Sequence, residues 1–105
     1  MQAIVKKDGM IKGIIGYKVL EYRNIEPIFM QLRSCAMESA GFVGADFLVS
    51  EENHSVGVMI STWETMNNWI TWVGSKSTLE VMQRARTSVT GMPRITAYRT
   101  MHIEE

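Results

Sequence analysis

The chain is poor in the features of secreted and membrane proteins. Cys35 is its only cysteine, so an internal disulfide is excluded, and we expect this side chain to act as a small buried hydrophobe. No apolar run is long enough to span a membrane. Met1–Lys7 lacks the long apolar core of a secretion signal. These absences predict a cytoplasmic, reducing setting with no membrane partner.

An excess of charge of one sign is also lacking. Lys and Arg together number 11, as do Asp and Glu, so no broad positive field exists to attract nucleic acid. The sequence has no Gly-rich phosphate loop, no Ser-His-Asp order and no Cys/His cluster. Of the two histidines, His54 falls in a predicted turn, and His102 leaves open a base or a haem ligand near the chain end. We therefore predict no metal site.

The length of 105 residues suits a single domain. Residues 1–13 contain Lys7-Asp8-Gly9 between two apolar runs, which predicts an N-terminal arm or a short extra hairpin. Residues 14–105 are predicted to form the domain itself.

Hydrophobic periodicity in that domain predicts alternating strands and helices. The predicted elements are a strand at Ile14–Tyr22, a helix at Ile25–Ala40, strands at Phe42–Ser50 and Ser55–Trp63, helices at Met66–Val73 and Lys76–Arg86, and a strand at Arg94–His102. The order β-α-β-β-α-β indicates an α+β, ferredoxin-like fold with a four-stranded antiparallel sheet.

Both faces of this sheet carry apolar side chains. In the strand Ser55–Trp63, one face presents Val56, Val58 and Ile60, and the other presents Met59 and Trp63. Two helices can cover only one face, and which set lies under them depends on the register. Burial of each such side chain is worth roughly 1.5–3 kcal/mol. We therefore predict a homodimer in which a second copy covers the remaining face.

The helix Met66–Val73 provides the candidate wall of a ligand pocket. Helical spacing predicts a stripe toward the sheet, formed by Met66, Trp69, Ile70 and Val73. Trp72 falls on the flank of that stripe. Its indole is equally compatible with the wall of a pocket and with the core.

Other candidate ligand contacts lie on neighbouring elements. Arg86, at the edge of an apolar helix face, could reach a carboxylate, a phenolate or a propionate near Trp72. It could instead cover apolar surface with its stem. Arg84 is expected to be a surface charge. The hydroxyls of Tyr17 and Tyr98 could orient a ligand, or both rings could belong to the core.

Two segments carry a family resemblance. Gly41–Ala45 looks like a helix-to-strand junction, and Trp63-Glu64 followed by Trp72–Ser75 looks like a Trp, helix and small-residue signature. On these segments the chain resembles, over about residues 14–101, the antibiotic biosynthesis monooxygenase (ABM) family of dimeric α+β barrels.

The resemblance implies a pocket between the sheet and the helices of each subunit. Some members of the family oxidise phenolic or quinol substrates with dioxygen and without metal or flavin, and a haem-degrading branch binds haem in the same pocket. Trp72 matches the tryptophan of that branch. However, Met82 stands where the branch has a haem-ligating histidine, and Gly16–Lys18 occupies the neighbourhood of its asparagine.

These observations predict a cofactor-independent monooxygenase acting on a phenolic or quinol-type aromatic molecule. The expected catalytic residues are Trp72, Arg86 and Tyr17, and the expected ligand contacts are Trp63, Trp69, Met82 and Tyr98. One alternative is a non-catalytic module that binds a small molecule, with haem left open as its ligand. The other is a divergent haem-degrading oxygenase.

Overall fold

The predicted order of the main elements is confirmed. The structure, a computed structural model, describes residues 4–5, 9–19, 25–87, 89–101 and 103–104. Its elements are strands β1 (Ile4–Val5) and β2 (Ile11–Lys18), helix α1 (Ile25–Met37), strands β3 (Phe42–Val49) and β4 (Val56–Trp63), helices α2 (Met66–Val73) and α3 (Lys76–Arg84), a 3-10 turn (Ala85–Thr87), and strands β5 (Arg94–Arg99) and β6 (Ile103–Glu104).

The main sheet has four strands in the order β3-β4-β2-β5, and every neighbouring pair is antiparallel. β3 and β4 form the predicted hairpin. β2 and β4 are the central strands, and β2 lies between elements that are distant in sequence. This is the ferredoxin-like arrangement that the sequence predicts.

The N-terminal part of the sheet differs from the prediction. β2 begins at Ile11 rather than Ile14, because Ile11 already pairs with Trp63 on one side and Arg99 on the other. The predicted division between residues 13 and 14 thus falls inside a central strand. β1 pairs with β6 at the other end of the chain rather than forming a hairpin with the segment that follows it. The predicted strand residues 20–22 lie outside the described part of the chain.

Helix α1 begins at the predicted residue and ends three residues early, at Met37. The Ser39 amide donates to the Ala36 carbonyl, and its hydroxyl donates to the Cys35 carbonyl at 3.1 Å. These bonds satisfy carbonyls at the helix end. Gly41 then adopts a positive φ of 79°, which favours glycine and turns the chain toward β3.

The register that the sequence left open is set by burial along β4. Met59, Ser61 and Trp63 are buried beneath the helices, whereas Val56, Val58 and Ile60 lie on the opposite face and are only partly covered. The helix-side face of the sheet and the inner faces of the helices make one core. Its largest fully buried side chains are Trp63, Trp72, Ile11, Ile15, Leu32 and Met59.

Helix α2 has the predicted bounds but a different orientation. Trp72 is 1% exposed, whereas Ile70 is 52% exposed and Met66 also faces solvent. The prediction that Met66 and Ile70 face the sheet is therefore wrong. Turning the helix so that Trp72 joins Trp69 in the core buries a second large indole in place of Met66 and Ile70, which removes more apolar surface from water.

The other face of the sheet has no covering layer within the described chain. We call it the open face. Its apolar members are Ile14, Leu48, Val56, Val58, Ile60 and Tyr98. None of the helices in the described residues combines the length and apolar composition needed to cross a bilayer.

Candidate functional site

A cavity of about 400 Å³ lies between the helix side of the sheet, helix α3 and the loop that leads into β5. We call it the α3 cavity. Its lining consists of Tyr17, Leu79, Met82, Gln83, Arg86, Val89, Gly91, Met92, Pro93 and Ile95. Three predicted site residues are thus brought together, because Tyr17 lies beside Met82 and Arg86 although it is distant from both in sequence.

The position of Tyr17 follows from the alternation of β2, which points this side chain to the helix side. Its cross-strand neighbour on β4 is Gly57, and its ring lies 6.3 Å from that of Phe29, measured between centroids. Ile25 occupies the space above Gly57, where a side chain would collide with it. Helix α1 therefore holds Tyr17 in place from one side.

The Tyr17 hydroxyl is buried without a hydrogen-bond partner. The residue is 3% exposed, and desolvation by burial raises the pKa of the phenol above its ordinary value. Tyr17 is therefore a neutral hydrogen-bond donor at physiological pH. An unsatisfied buried hydroxyl costs about 1–3 kcal/mol, which a ligand oxygen could recover.

The charge of the α3 cavity comes from Arg86. This residue sits on the 3-10 turn after α3, is exposed at the rim, and has no carboxylate beside it among the described lining residues. Gln83 adds an amide, and the half-buried Met82 adds a thioether. The remaining lining is mostly aliphatic. This arrangement suits an apolar ring that carries one anionic oxygen.

The three tryptophans occupy a different part of the core. The centroid of Trp72 lies 5.2 Å from that of Trp63 and 5.7 Å from that of Trp69. Of the two interpretations left open for Trp72, the structure supports the core. Neither it nor its two neighbours lines the α3 cavity, because the large rings fill the space between α2 and the sheet.

Small side chains make room for this tryptophan cluster. A Cβ at Gly13 would collide with the ring of Trp69, so glycine lets the indole lie directly on the strand. The Trp63 indole donates to the Ser61 hydroxyl at 2.9 Å, and that hydroxyl donates to the Gly13 carbonyl at 3.3 Å. The Trp72 indole nitrogen is buried without a hydrogen-bond partner.

Tyr98 also lies apart from the other candidates. It is 60% exposed on the open face, where it lines a concavity of about 600 Å³ with Ile14, Gly16, Tyr17, Lys18, Val56, Val58, Thr90, Met92, Arg94 and Thr96. Tyr98 pairs with Lys12, whose side chain lies on the open face, whereas the Tyr17 ring lies on the helix side. The backbone of the sheet therefore separates the two rings.

The donor groups of the α3 cavity do not fit a haem iron. Its described lining residues offer the Met82 thioether but no imidazole, and the raised pKa of Tyr17 disfavours a phenolate ligand. His54 lies in the connection between β3 and β4, and His102 falls outside the described residues. Within those residues, no three His, Cys, Asp or Glu side chains are grouped to hold a metal ion.

Several lining residues were missed by sequence reasoning. Met92, Pro93 and Ile95 approach the cavity because the loop before β5 folds back on the end of β2. The Thr90 amide donates to the Lys18 carbonyl at 2.6 Å, and the Thr90 hydroxyl donates to the same oxygen at 3.0 Å. Alternation along β5 could have indicated Ile95, but nothing in local periodicity encodes the path of this loop.

The chain shares its fold with several solved structures. SnoaB, a cofactor-independent oxygenase from Streptomyces nogalater, superposes with a TM-score of 0.75 at 14% identity, covering 88% of this chain and 93% of its own. A proposed antibiotic biosynthesis monooxygenase from Bordetella bronchiseptica gives a TM-score of 0.75 at 21% identity, covering 88% and 97%. A protein from Shewanella oneidensis gives 0.79 at 9% identity, covering 95% and 98%.

These likenesses confirm the resemblance at the level of the fold, together with the α+β ferredoxin-like class. No protein-family model and no curated protein sequence matches the chain. The residues of the α3 cavity therefore bear most directly on function.

Proposed function

We propose that this protein is a small cytoplasmic monooxygenase that oxidises a phenol- or quinol-type aromatic molecule in the α3 cavity without metal, haem or flavin. The observation that carries the proposal is the buried, unpartnered hydroxyl of Tyr17, a lining residue of the α3 cavity, together with Arg86, the one charged residue among the described lining residues. The fold shared with a cofactor-independent oxygenase supports the reaction class.

The two polar groups would act on the same ligand oxygen or on adjacent ones. Arg86 would stabilise an ionised phenol, and Tyr17 would donate a hydrogen bond that orients the ring. Leu79, Val89 and Ile95 would hold the ring away from water. An ionised phenol is electron-rich, so it can pass an electron to dioxygen directly.

The electron balance restricts the substrate. Without a separate reductant, the aromatic molecule must supply every electron that dioxygen accepts. Conversion of an activated ring CH₂ to a carbonyl satisfies this balance, because one oxygen atom enters the ring and the other leaves as water with the two hydrogens. We therefore favour hydroxylated aromatics that carry such a carbon, or their quinol equivalents.

Oxygen uptake with a panel of hydroquinones and hydroxylated polycyclic aromatics tests the activity. Arg86→Ala should lower kcat/KM about tenfold or more, since it removes the charge partner of the bound anion. Arg84→Ala is the matched control. Arg84 lies two residues earlier, and its exposed guanidinium donates a hydrogen bond to the Gln31 side chain on helix α1. Equal uptake by the Arg86 and Arg84 variants, or uptake no greater than in buffer, contradicts the proposal.

A second candidate is a binding module that takes the same kind of ligand without oxidising it. One observation favours it: the described lining of the α3 cavity contains no His, Asp or Glu that could accept the substrate proton. The binding module predicts that phenolates bind in an Arg86-dependent way while oxygen uptake stays at the level of buffer.

We further propose that the protein works as a homodimer in which a second copy packs on the open face. Ile14, Val58 and Ile60 form an apolar centre there that is only partly covered in the single chain. Sedimentation at micromolar concentration should give a dimer, and Val58→Glu should give a monomer. A wild-type monomer under these conditions contradicts the assembly.

A further inference from the structure

The α3 cavity and the concavity on the open face adjoin at one end of the sheet. Tyr17 and Met92 contribute to the lining of both. Tyr17 belongs to strand β2, in the sheet that separates the α3 cavity from the concavity on the open face. Met92 lies beyond the last β2–β5 residue pair, Gly16 with Arg94, where the sheet no longer separates them. Its side chain is 78% exposed, the most exposed of the large apolar side chains among the described residues.

The distribution of charge on the open face indicates what covers it. Asp46 lies on β3 at one edge of the sheet, whereas Lys12 and Lys18 on β2 and Arg94 on β5 lie toward the other edge. Between them is the apolar centre of Ile14, Val58 and Ile60. A face with an acid on one edge and cations toward the other is self-complementary under a two-fold rotation.

The direction of the two-fold axis follows from these charges. An axis parallel to the strands lays β3 of one copy over β5 of the other, so that Asp46 lies level with the partner's Thr96, one position along the same face from its Arg94. An axis that is parallel to the sheets but perpendicular to the strands would instead lay β3 over the partner's β3 and β5 over the partner's β5. Strands that carry charges of the same sign would then face each other. The first arrangement is therefore favoured.

Residue rows across the sheet extend this geometry to the cavity. Leu48, Val58, Gly16 and Arg94 form one row. A strand-parallel axis keeps each row at its own level, so the partner's Leu48 lies over Arg94, beside the loop that carries Met92. Leu48 is itself half-exposed and apolar.

We propose that the second copy completes the α3 cavity by covering Met92 with its β3 edge, so that dimerisation and ligand binding strengthen each other. This inference rests on the proposed site and assembly, but it does not require turnover. Coupling free energies between linked binding events correspond to about 5–150-fold changes in affinity. By linkage, the same factor must appear in ligand affinity and in dimer affinity.

The experiment uses 4-nitrophenolate, a coloured phenolate, as the probe. Its affinity is measured by absorbance below and above the protein concentration at which sedimentation shows half dimer. We expect at least about fivefold tighter binding to the dimer. Saturating probe should lower the dimer dissociation constant by the same factor. Arg86→Ala should abolish this binding, which assigns the signal to the α3 cavity.

A charge exchange tests the proposed arrangement. Asp46→Arg should dissociate the dimer and weaken probe binding to the level of the wild-type monomer. The double variant Asp46→Arg/Arg94→Asp should restore both properties, because the opposite charges meet again across the interface. Neither Asp46 nor Arg94 lines the α3 cavity. If probe affinity is lost and recovered together with the dimer, the effect must therefore come from the partner.

Met92→Ala should preserve the dimer and reduce the coupling, whereas Met37→Ala, which alters an exposed methionine on α1, should change neither. Probe affinity that is the same in monomer and dimer overturns the inference, as does the absence of a dimer or of Arg86-dependent binding. Failure of the oxygenase proposal alone would give a different result: probe binding would still be coupled to dimerisation, but oxygen uptake would not exceed that of buffer.

Discussion

Tyr17 combines a stability cost with a proposed binding role. Its hydroxyl is buried without a partner, so Tyr17→Phe should leave the free protein as stable as the wild type or up to about 1 kcal/mol more stable in urea unfolding. The same substitution should weaken 4-nitrophenolate binding several-fold. A clear loss of stability would show that the hydroxyl is satisfied in the free protein.

Alkaline pH gives a second test of the same residue. Burial raises the pKa of folded Tyr17, so above about pH 10 the unfolded chain releases this proton while the folded protein keeps it. The stability contribution of Tyr17 is therefore complete below pH 10 and falls as pH rises toward the folded pKa. Tyr17→Phe should show a shallower alkaline loss of unfolding free energy than wild type. Parallel curves for the two proteins would exclude this role.

Gly13 is a residue at which one added methyl group should have a measurable structural effect. A methyl group there would collide with the Trp69 ring, so Gly13→Ala should destabilise the protein by about 1–3 kcal/mol through overpacking. Gly16→Ala is the matched control, because its nearest neighbour would be a Val58 methyl at 3.8 Å. Equal unfolding midpoints for the two variants would show that the indole moves aside easily.

At the scale of elements, much of the secondary structure could be predicted from local signals. The bounds of α2 follow from Thr65, whose hydroxyl accepts from the Asn68 amide at 3.1 Å, and from Gly74 at the other end. The orientation of α2 could not be predicted. The helix has two apolar stripes, one that contains Ile70 and one that contains Trp72, and either could face the sheet. In addition, the space beneath Trp69 depends on Gly13, which is distant in sequence.

The start of β2 escaped prediction for a related reason. Ile11 and Lys12 look like the second arm of a local Asp-Gly hairpin, yet both pair with β4 and β5. Local turn chemistry is a weak guide when a strand can gain two neighbours in the centre of a sheet. The α3 cavity shows the same limit: Met82 and Arg86 could be inferred from helix periodicity, but the approach of Met92 depends on tertiary structure.

The two short helices should depend on their N-terminal caps. Thr65→Ala and Ser75→Ala each remove a hydroxyl that accepts a hydrogen bond from a first-turn amide, so each should cost about 0.5–2 kcal/mol. Ser77→Ala, within the first turn of α3, should change the unfolding free energy by less than either. Chemical denaturation followed by circular dichroism measures all three. A larger effect at Ser77 would contradict the assignment of the caps.

At the scale of the whole molecule, the two faces of the sheet differ in what covers them. The helix side is filled by the tryptophan cluster at one end and opens into the α3 cavity at the other, while the open face carries Asp46 on one edge strand and Arg94 on the other. The sequence predicted that both faces carry apolar groups. It could not predict that the two hollows adjoin, because that depends on where the loop before β5 leaves the sheet.

The pairing of β1 with β6 brings residues from the two ends of the chain side by side, with Ile4 opposite Glu104. The first and last of the described strands are therefore neighbours in space. A circular permutant with a short Gly-Ser bridge between the ends, and a new opening between Glu51 and Glu52, should fold to the same circular dichroism spectrum and unfold cooperatively. Its collapse into an unfolded chain would mean that the two ends do not meet.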